Sequence, residues 1–327
     1  MTSFPTNAII AITYRCNSRC LTCDIWKKKP RKEVSPSLYK KLPSSLKDIN
    51  LTGGEPFLRN DLPEIVRMIK KTCPYARIII NTNGLLPQKI ITITQEILKI
   101  EPRVALRISL DGLNKTHDKM RGIKGAFQKA LATIEGLKKT TIKDLGISFT
   151  LTNQNTDQLL KVYKFTKENN LQLSLTLATS SDIYFGKNKE GLRPKFDTKT
   201  NDCFSLLIKK YFQSQQPKDW FRGWFANSLK DYLKTQKRPF PCLAALGFFY
   251  LDPQGNLFTC HLKNWLLGNL TKQSFRQIWN SVKRKQYQKR VNLCNDCWMI
   301  CTAKNSINNN LIRVIPQVLI NKLKYIL

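Results

Sequence analysis

Histidine is almost missing from this chain: only His117 and His261 occur in 327 residues, so imidazole adds little to any metal site. Acidic residues are also scarce, 22 Asp and Glu against 55 Lys and Arg, a formal net charge of +33. No long apolar run exists. The longest uncharged one covers ten residues, 242–251, far short of the roughly 18 that span a bilayer. The opening MTSFPTNAIIAITYRC has no basic n-region and only five consecutive apolar residues, 8–12, so it does not read as a secretory signal. There is no internal repeat and no low-complexity stretch. These absences point to a cytoplasmic protein. The balance of 42% hydrophobic and 24% charged residues excludes disordered, collagenous and coiled-coil chains. The length suggests about two domains at roughly 150 residues each.

The positive charge has two readings. It attracts polyanions such as nucleic acid, anionic lipid or an acidic substrate. It also follows from composition alone in a chain dense in Lys, Asn and Ile. The ten cysteines are more telling. A cytosolic chain keeps its thiols reduced, so spaced cysteines there are metal ligands or catalytic groups rather than disulfides. Eight of the ten form two sets: Cys16, Cys20 and Cys23, then Cys242, Cys260, Cys294, Cys297 and Cys301. Cys73 and Cys203 stand apart and are expected to be buried thiols.

Between the two sets the chain alternates. Short β-branched runs at 9–13, 49–52, 77–81, 104–110, 147–152 and 172–177 read as strands. Helices are expected after Ser35-Pro36, over 61–72, after Leu86-Pro87, over 125–139 and over 155–170. This is the pattern of βαβ units and a parallel sheet. Six units cannot close an eight-fold barrel, so the expectation is α/β, an open partial (β/α)6 barrel with its chemistry at the C-terminal strand ends. Residues 180–199 read as a linker or lid loop, and 200–237 as helical with a break near Gln216-Pro217. Residues 247–259 read as a hairpin turning at Asp252-Pro253-Gln254-Gly255-Asn256.

The first set has the spacing C-x3-C-x2-C, directly after the first strand. Three thiolates on one loop hold three irons of a cubane that normally takes four cysteines, which leaves one iron open. A zinc site is the plainer alternative, but a closed one needs four ligands. At this point the sequence resembles the radical S-adenosylmethionine (SAM) superfamily. Leu51-Thr52-Gly53-Gly54-Glu55-Pro56, at the end of the second strand, resembles that superfamily's GGEP motif, which receives the methionine ammonium. The resemblance places Gly53, Gly54, Glu55 and Asn83 in the cofactor site. It also assigns polar contacts with SAM to Ser109 and Arg121, while Asp111 reads equally as a turn residue or a ligand. A guanidinium can grip the methionyl carboxylate with two hydrogen bonds.

The second set begins C-x12-G-x4-C, from Cys242 through Gly255 to Cys260. It resembles the start of the SPASM or twitch extension of radical SAM enzymes. Five cysteines suffice for one auxiliary 4Fe–4S cluster, with one left over. Cys242, Cys260, Cys294 and Cys297 are the favoured ligands and Cys301 the spare, although the choice among Cys294, Cys297 and Cys301 stays open. A zinc ribbon is the alternative for this set taken alone. The expected layout is a core over 1–180, a linker and helical segment over 181–240, a small α+β cluster-binding extension over 241–305, and a basic amphipathic helix over 306–327. In that last helix Ile312, Ile315, Leu319, Leu323 and Ile326 recur at helical spacing. The helix either docks on the protein's own core or rests on an anionic membrane.

The resemblance implies an oxidoreductase or maturase that cleaves SAM reductively to a 5′-deoxyadenosyl radical and abstracts hydrogen from a substrate carbon. It implies two 4Fe–4S clusters, and an electron donor such as flavodoxin or ferredoxin. The substrate class is a peptide, a sugar-like alcohol or a lipid-linked molecule. The rival reading is a non-catalytic iron–sulfur or zinc protein that binds nucleic acid through its charge. It leaves the GGEP segment unexplained, so nucleic acid is not the favoured partner.

Overall fold

The computed structural model describes residues 4–325. Nine strands form one sheet: β1 (Asn7–Thr13), β2 (Asp48–Gly53), β3 (Arg77–Thr82), β4 (Ala105–Ser109), β5 (Asp144–Leu151), β6 (Gln172–Leu177), β7 (Phe248–Leu251), β8 (Asn256–Phe258) and β9 (Leu266–Asn269). The helices are α1 (Leu62–Thr72), α2 (Pro87–Ile100), α3 (Asn114–Arg121), α4 (Ala126–Lys138), α5 (Leu159–Glu168), α6 (Thr198–Gln213), α7 (Pro217–Thr235), α8 (Phe275–Trp279), α9 (Val282–Leu293), α10 (Ile300–Asn308) and α11 (Leu311–Lys324).

The sheet order is β6-β5-β4-β3-β2-β1-β7-β8-β9. The first six strands are parallel neighbours in chain order and do not close, which gives the open partial barrel. β7 pairs parallel with β1, Asn7 opposite Phe248, and only β8 and β9 run antiparallel. The C-terminal extension therefore continues the barrel sheet. β1 lies between two parallel partners and is buried along its whole length, which explains its unbroken apolar sequence. β2, β3 and β6 alternate instead. Ile49, Leu51, Ile78, Ile80, Leu173 and Leu175 are buried. The intervening Asn50, Ile79, Asn81 and Ser174 line the interior of the barrel, so its bore mixes polar and apolar side chains.

Local chemistry explains the element boundaries. Pro87 and Pro217 open α2 and α7 and Pro63 lies in the first turn of α1, positions where the missing N–H costs nothing. In the turn before β8, Asp252 Oδ1 accepts from the amides of Gln254 (2.9 Å) and Asn256 (2.8 Å). Gly255 follows in the left-handed region at φ 79°, where a side chain would be strained.

Several expectations need correction. The segment after Ser35-Pro36 is only a 3-10 turn, Pro36–Lys41. A separate helix, α3, precedes the one expected over 125–139, because Gly122 ends it in the left-handed region at φ 63°. The fifth helix starts as a 3-10 turn, Thr156–Gln158. Cys203 is half-buried rather than buried, while Cys73 is buried. The C-terminal helix does dock, but on a neighbouring stripe: Val314, Val318 and Lys322 are buried, and Ile312, Ile315, Leu319 and Leu323 are exposed. Ile326 lies outside the described residues.

Candidate active site

The loop carrying the first thiols follows β1 and is pinned from three sides. The end of β2 holds its start: Gly54 N donates to Thr13 O and Glu55 N to Arg15 O, both at 2.8 Å. The end of α3 holds its middle: Arg19 N donates to Arg121 O (2.9 Å) and Leu21 N to Met120 O (3.0 Å). The 180–199 loop holds its end, where Asp24 N donates to Phe185 O (2.7 Å) and Lys189 Nζ to Leu21 O (2.9 Å). That loop is a clamp rather than a linker. Tyr184 is buried, and its hydroxyl donates to Gly53 O at 2.5 Å.

The glycines of GGEP have a reason in the fold itself. A Cβ on Gly54 would stand 2.0 Å from Arg15 O, and one on Gly53 would stand 2.1 Å from Thr13 O. What comes close is the protein's own backbone, the cluster loop laid on the strand end.

A cavity of about 240 Å³ opens at the C-terminal ends of the strands. Cys16, Cys20, Cys23, Gly53, Gly54, Asn83, Ser109 and Arg121 line it, so eight of the expected site residues meet in one place. Glu55 and Asp111 do not line it. They are fully buried behind it and act on their neighbours. Glu55 accepts from Asn83 N (2.7 Å), Thr82 Oγ1 (2.8 Å) and Phe57 N (3.2 Å), and burial outweighs these bonds and pushes its carboxyl up to about 7. Asp111 pairs with Arg121 at 2.7 Å and accepts from Thr150 N. Arg121 then sends Nη1 to Cys20 Sγ at 3.5 Å, and Asn83 Nδ2 lies 3.9 Å from Cys16 Sγ. Burial pushes the Cys16 thiol up to about 11 and Cys23 to about 12. Loading a metal there must release protons.

Four cysteines of the second set gather around a separate hollow. Cys242, Cys260, Cys294 and Cys297 line it together with Arg238, Lys263 and Thr302. Cys301 is elsewhere, in the wall of the first cavity beside His261, Met299 and Ile300. Arg238 was not foreseen. Its Nε and Nη2 are buried without a hydrogen-bond partner, and while burial pushes the Cys242 thiol up, the Arg238 charge offsets part of that rise. A local signal did exist, since Arg238 is four residues before Cys242.

Among the described residues no three His, Cys, Asp or Glu side chains are gathered as around one metal ion. The thiols of each set surround a hollow instead. The donor sets fit iron–sulfur clusters on two grounds. Thiolate is the usual protein ligand of such clusters, and an orphaned guanidinium nitrogen stands by each set, Arg121 Nε at the first and Arg238 Nε at the second. Arg121 Nε in the cavity wall is equally suited to a carboxylate.

Comparison with known proteins agrees. The model of the radical SAM superfamily matches residues 10–166. The model of the SPASM iron-sulfur cluster-binding domain matches residues 242–298. The AdoMet-dependent heme synthase of Methanosarcina barkeri is 26% identical over 86% of this chain and 84% of its own. The mycofactocin maturase MftC of Mycolicibacterium smegmatis is 35% identical over 45% of this chain and 38% of its own. Among solved structures, native anSMEcpe with bound AdoMet and a Cp18Cys peptide aligns with TM-score 0.63 at 18% identity, over 96% of this chain and 99% of the other. SuiB of Streptococcus suis bound to its precursor peptide SuiA aligns with TM-score 0.64 at 16% identity, over 86% of this chain and 65% of the other. With the thiol loop, the strand-end glycines and the second thiol hollow in place, the chain belongs to the radical SAM superfamily and is an enzyme carrying a SPASM-type extension, with SAM and 4Fe–4S clusters as its cofactors.

Proposed function

We propose that the protein carries out an oxidative modification of a peptide, sugar-like or lipid-linked substrate, with the auxiliary cluster as electron acceptor. The observation that carries this reading is the adjacency of Cys260 and His261. Cys260 lines the auxiliary hollow and His261 lines the reaction cavity, so one peptide unit separates the two sites. Relatives named as a heme synthase and a mycofactocin maturase, and a fold neighbour holding a precursor peptide, support the range of substrates. Membership of the superfamily sets aside the non-catalytic nucleic-acid reading.

When bound, SAM and the first cluster supply a carbon-centred radical that removes a substrate hydrogen. Cys16, Cys20 and Cys23 hold that cluster in this reading, and Cys242, Cys260, Cys294 and Cys297 hold the second. Gly53 and Gly54 keep the cavity wall fixed to the thiol loop. Arg121, oriented by Asp111, offers Nε to the methionyl carboxylate. Asn83 and Ser109 supply neutral polar contacts. Tyr184, Phe185 and His261 close the cavity on the extension side and exclude water from it. An electron donor of the flavodoxin or ferredoxin type belongs to the same reading.

Anaerobic reconstitution tests it. The expected product carries about eight irons, and each turnover yields one 5′-deoxyadenosine and a product two hydrogens lighter than its substrate. Saturation near four irons, or a product of unchanged mass, overturns the oxidative reading.

A further inference from the structure

The last helix is sided in an unusual way. α11 docks through Val314, Val318 and Lys322, at 0, 2 and 7% exposure. Lys322 Nζ donates to Phe212 O (2.6 Å) and Ser214 O (3.0 Å) at the α6–α7 corner and lies over the Trp220 ring. Trp224 Nε1 donates to Gln317 (2.8 Å), and Tyr325 stacks on Phe212. This contact is specific and leaves another stripe of the same helix bare. Leu311, Ile312, Ile315, Leu319, Ile320 and Leu323 are 39, 90, 43, 50, 53 and 59% exposed. Single exposed apolar residues are ordinary. Six of them in a row along one helix form a contiguous patch of the kind that marks an interaction surface.

The order around the helix is informative. At 3.6 residues per turn, the bare apolar stripe is bordered on one side by the docked stripe. On the other side stand Arg313 and Lys324, both exposed. No acidic residue follows Asp296 in the chain. The corner on which α11 rests adds exposed Lys209, Lys210 and Lys218, while its one acid, Asp219, is buried and paired with Lys167 and Arg222. Among the described residues no helix is long and apolar enough to cross a membrane.

We propose that this face of α11 lies in the plane of an anionic lipid surface, its isoleucines and leucines inserted at the level of the headgroups and Arg313 and Lys324 at the lipid phosphates. Apolar insertion and basic flanks are the two contributions that hold such a helix at an interface, and Lys or Arg near an anionic leaflet is attracted to it. Charge decides against a second copy as the occupant. Two bodies of +33 would have to meet with Arg313 and Lys324 brought toward their own counterparts, and like charges in contact are costly. α7 stands between this helix and the lower bore of the barrel, which Phe221, Arg222, Trp224 and Phe225 line. Lipid docking would therefore set the membrane behind one wall of that bore.

The experiment is vesicle co-sedimentation of the reconstituted full chain, with vesicles of phosphatidylcholine alone or of phosphatidylcholine mixed with phosphatidylglycerol. The wild type is expected in the pellet with the mixed vesicles and in the supernatant with phosphatidylcholine alone. The Ile312→Ser, Leu319→Ser double variant is expected to bind mixed vesicles at least tenfold more weakly, with iron content and SAM cleavage unchanged because neither residue touches the site. Arg313→Gln with Lys324→Gln should weaken binding and reduce its salt dependence. Equal binding by the wild type and the serine variant would mean attraction by net charge alone and would overturn the proposal. So would a wild type that ignores both vesicles yet forms a dimer, by light scattering, that the serine variant loses.

Discussion

Cys260 and His261 are consecutive residues that face different sites, the thiol toward the auxiliary hollow and the imidazole into the reaction cavity. The His261 ring is buried, and its Nδ1 has no hydrogen-bond partner. It packs edge-on against Tyr184 and Phe185 of the clamp loop. The strand-end cavity, the clamp loop and the auxiliary hollow therefore converge on one dipeptide.

Removing single cysteines should separate the two sites. Cys297→Ala is expected to lose part of the iron, up to one cluster's worth, because Cys297 is buried in the auxiliary hollow. Cys301→Ala should keep the full iron content, since its thiol belongs to the other cavity. Iron quantification with electron paramagnetic resonance reads both. The reverse pattern would reassign the ligands.

Arg121→Lys should weaken SAM binding although the charge is kept. Arg121 spans Asp111 on one side and Cys20 on the other, and an ammonium cannot reach both while presenting a third N–H. The expected loss is about 1–3 kcal/mol, read as a rise in Kd by equilibrium titration. Unchanged affinity would give Arg121 a purely structural role.

Gly54→Ala should destabilise the loop by about 1–3 kcal/mol or more, because the new Cβ would meet Arg15 O at 2.0 Å. Gly191→Ala is the control. Nothing lies within 4 Å of its Cβ position, so the change should be neutral or stabilise by about 0.4–1 kcal/mol. Thermal melts compare the two, and equal melting temperatures would contradict the crowding argument.

Glu55 predicts a pH dependence. Its carboxyl is raised to about 7 in the folded protein from 4.5. A raised folded value means that the group's contribution is fully present below about pH 4.5 and is lost as pH rises to about 7. The stability of the metal-free protein should therefore fall over that window, by on the order of 3 kcal/mol. Glu55→Gln, which cannot ionise, should flatten the slope. A stability change between pH 5 and pH 7, from denaturant titrations, that is the same in the wild type and in Glu55→Gln would show that Glu55 titrates normally.

What could be read in advance follows the range of the interactions. C-x3-C-x2-C and Gly53-Gly54 bring their chemistry together within a few residues, so they were legible in the sequence. So was the six-strand alternation. Tyr184 was not legible, because its partner Gly53 is 131 positions away. The docking face of α11 was misread for another reason. The helix has two apolar stripes, and periodicity alone does not rank Val314 and Val318 against Ile312 and Leu319. The hydrogen bond between Trp224 and Gln317 and the burial of Lys322 fix the choice, and both are tertiary.

The pairing of β1 with both β2 and β7 has a consequence for how the chain can be cut. A truncation that ends before residue 241 removes β7 and bares the edge of residues 7–10, in a strand with no charged residue and no proline. Such an edge is a template for intermolecular pairing. The truncated protein should aggregate rather than behave as an independent barrel, and a Lys in place of Ala8 or Ile10 would not rescue it, because both positions are buried. Barrel and extension share one sheet, so the two are expected to unfold together.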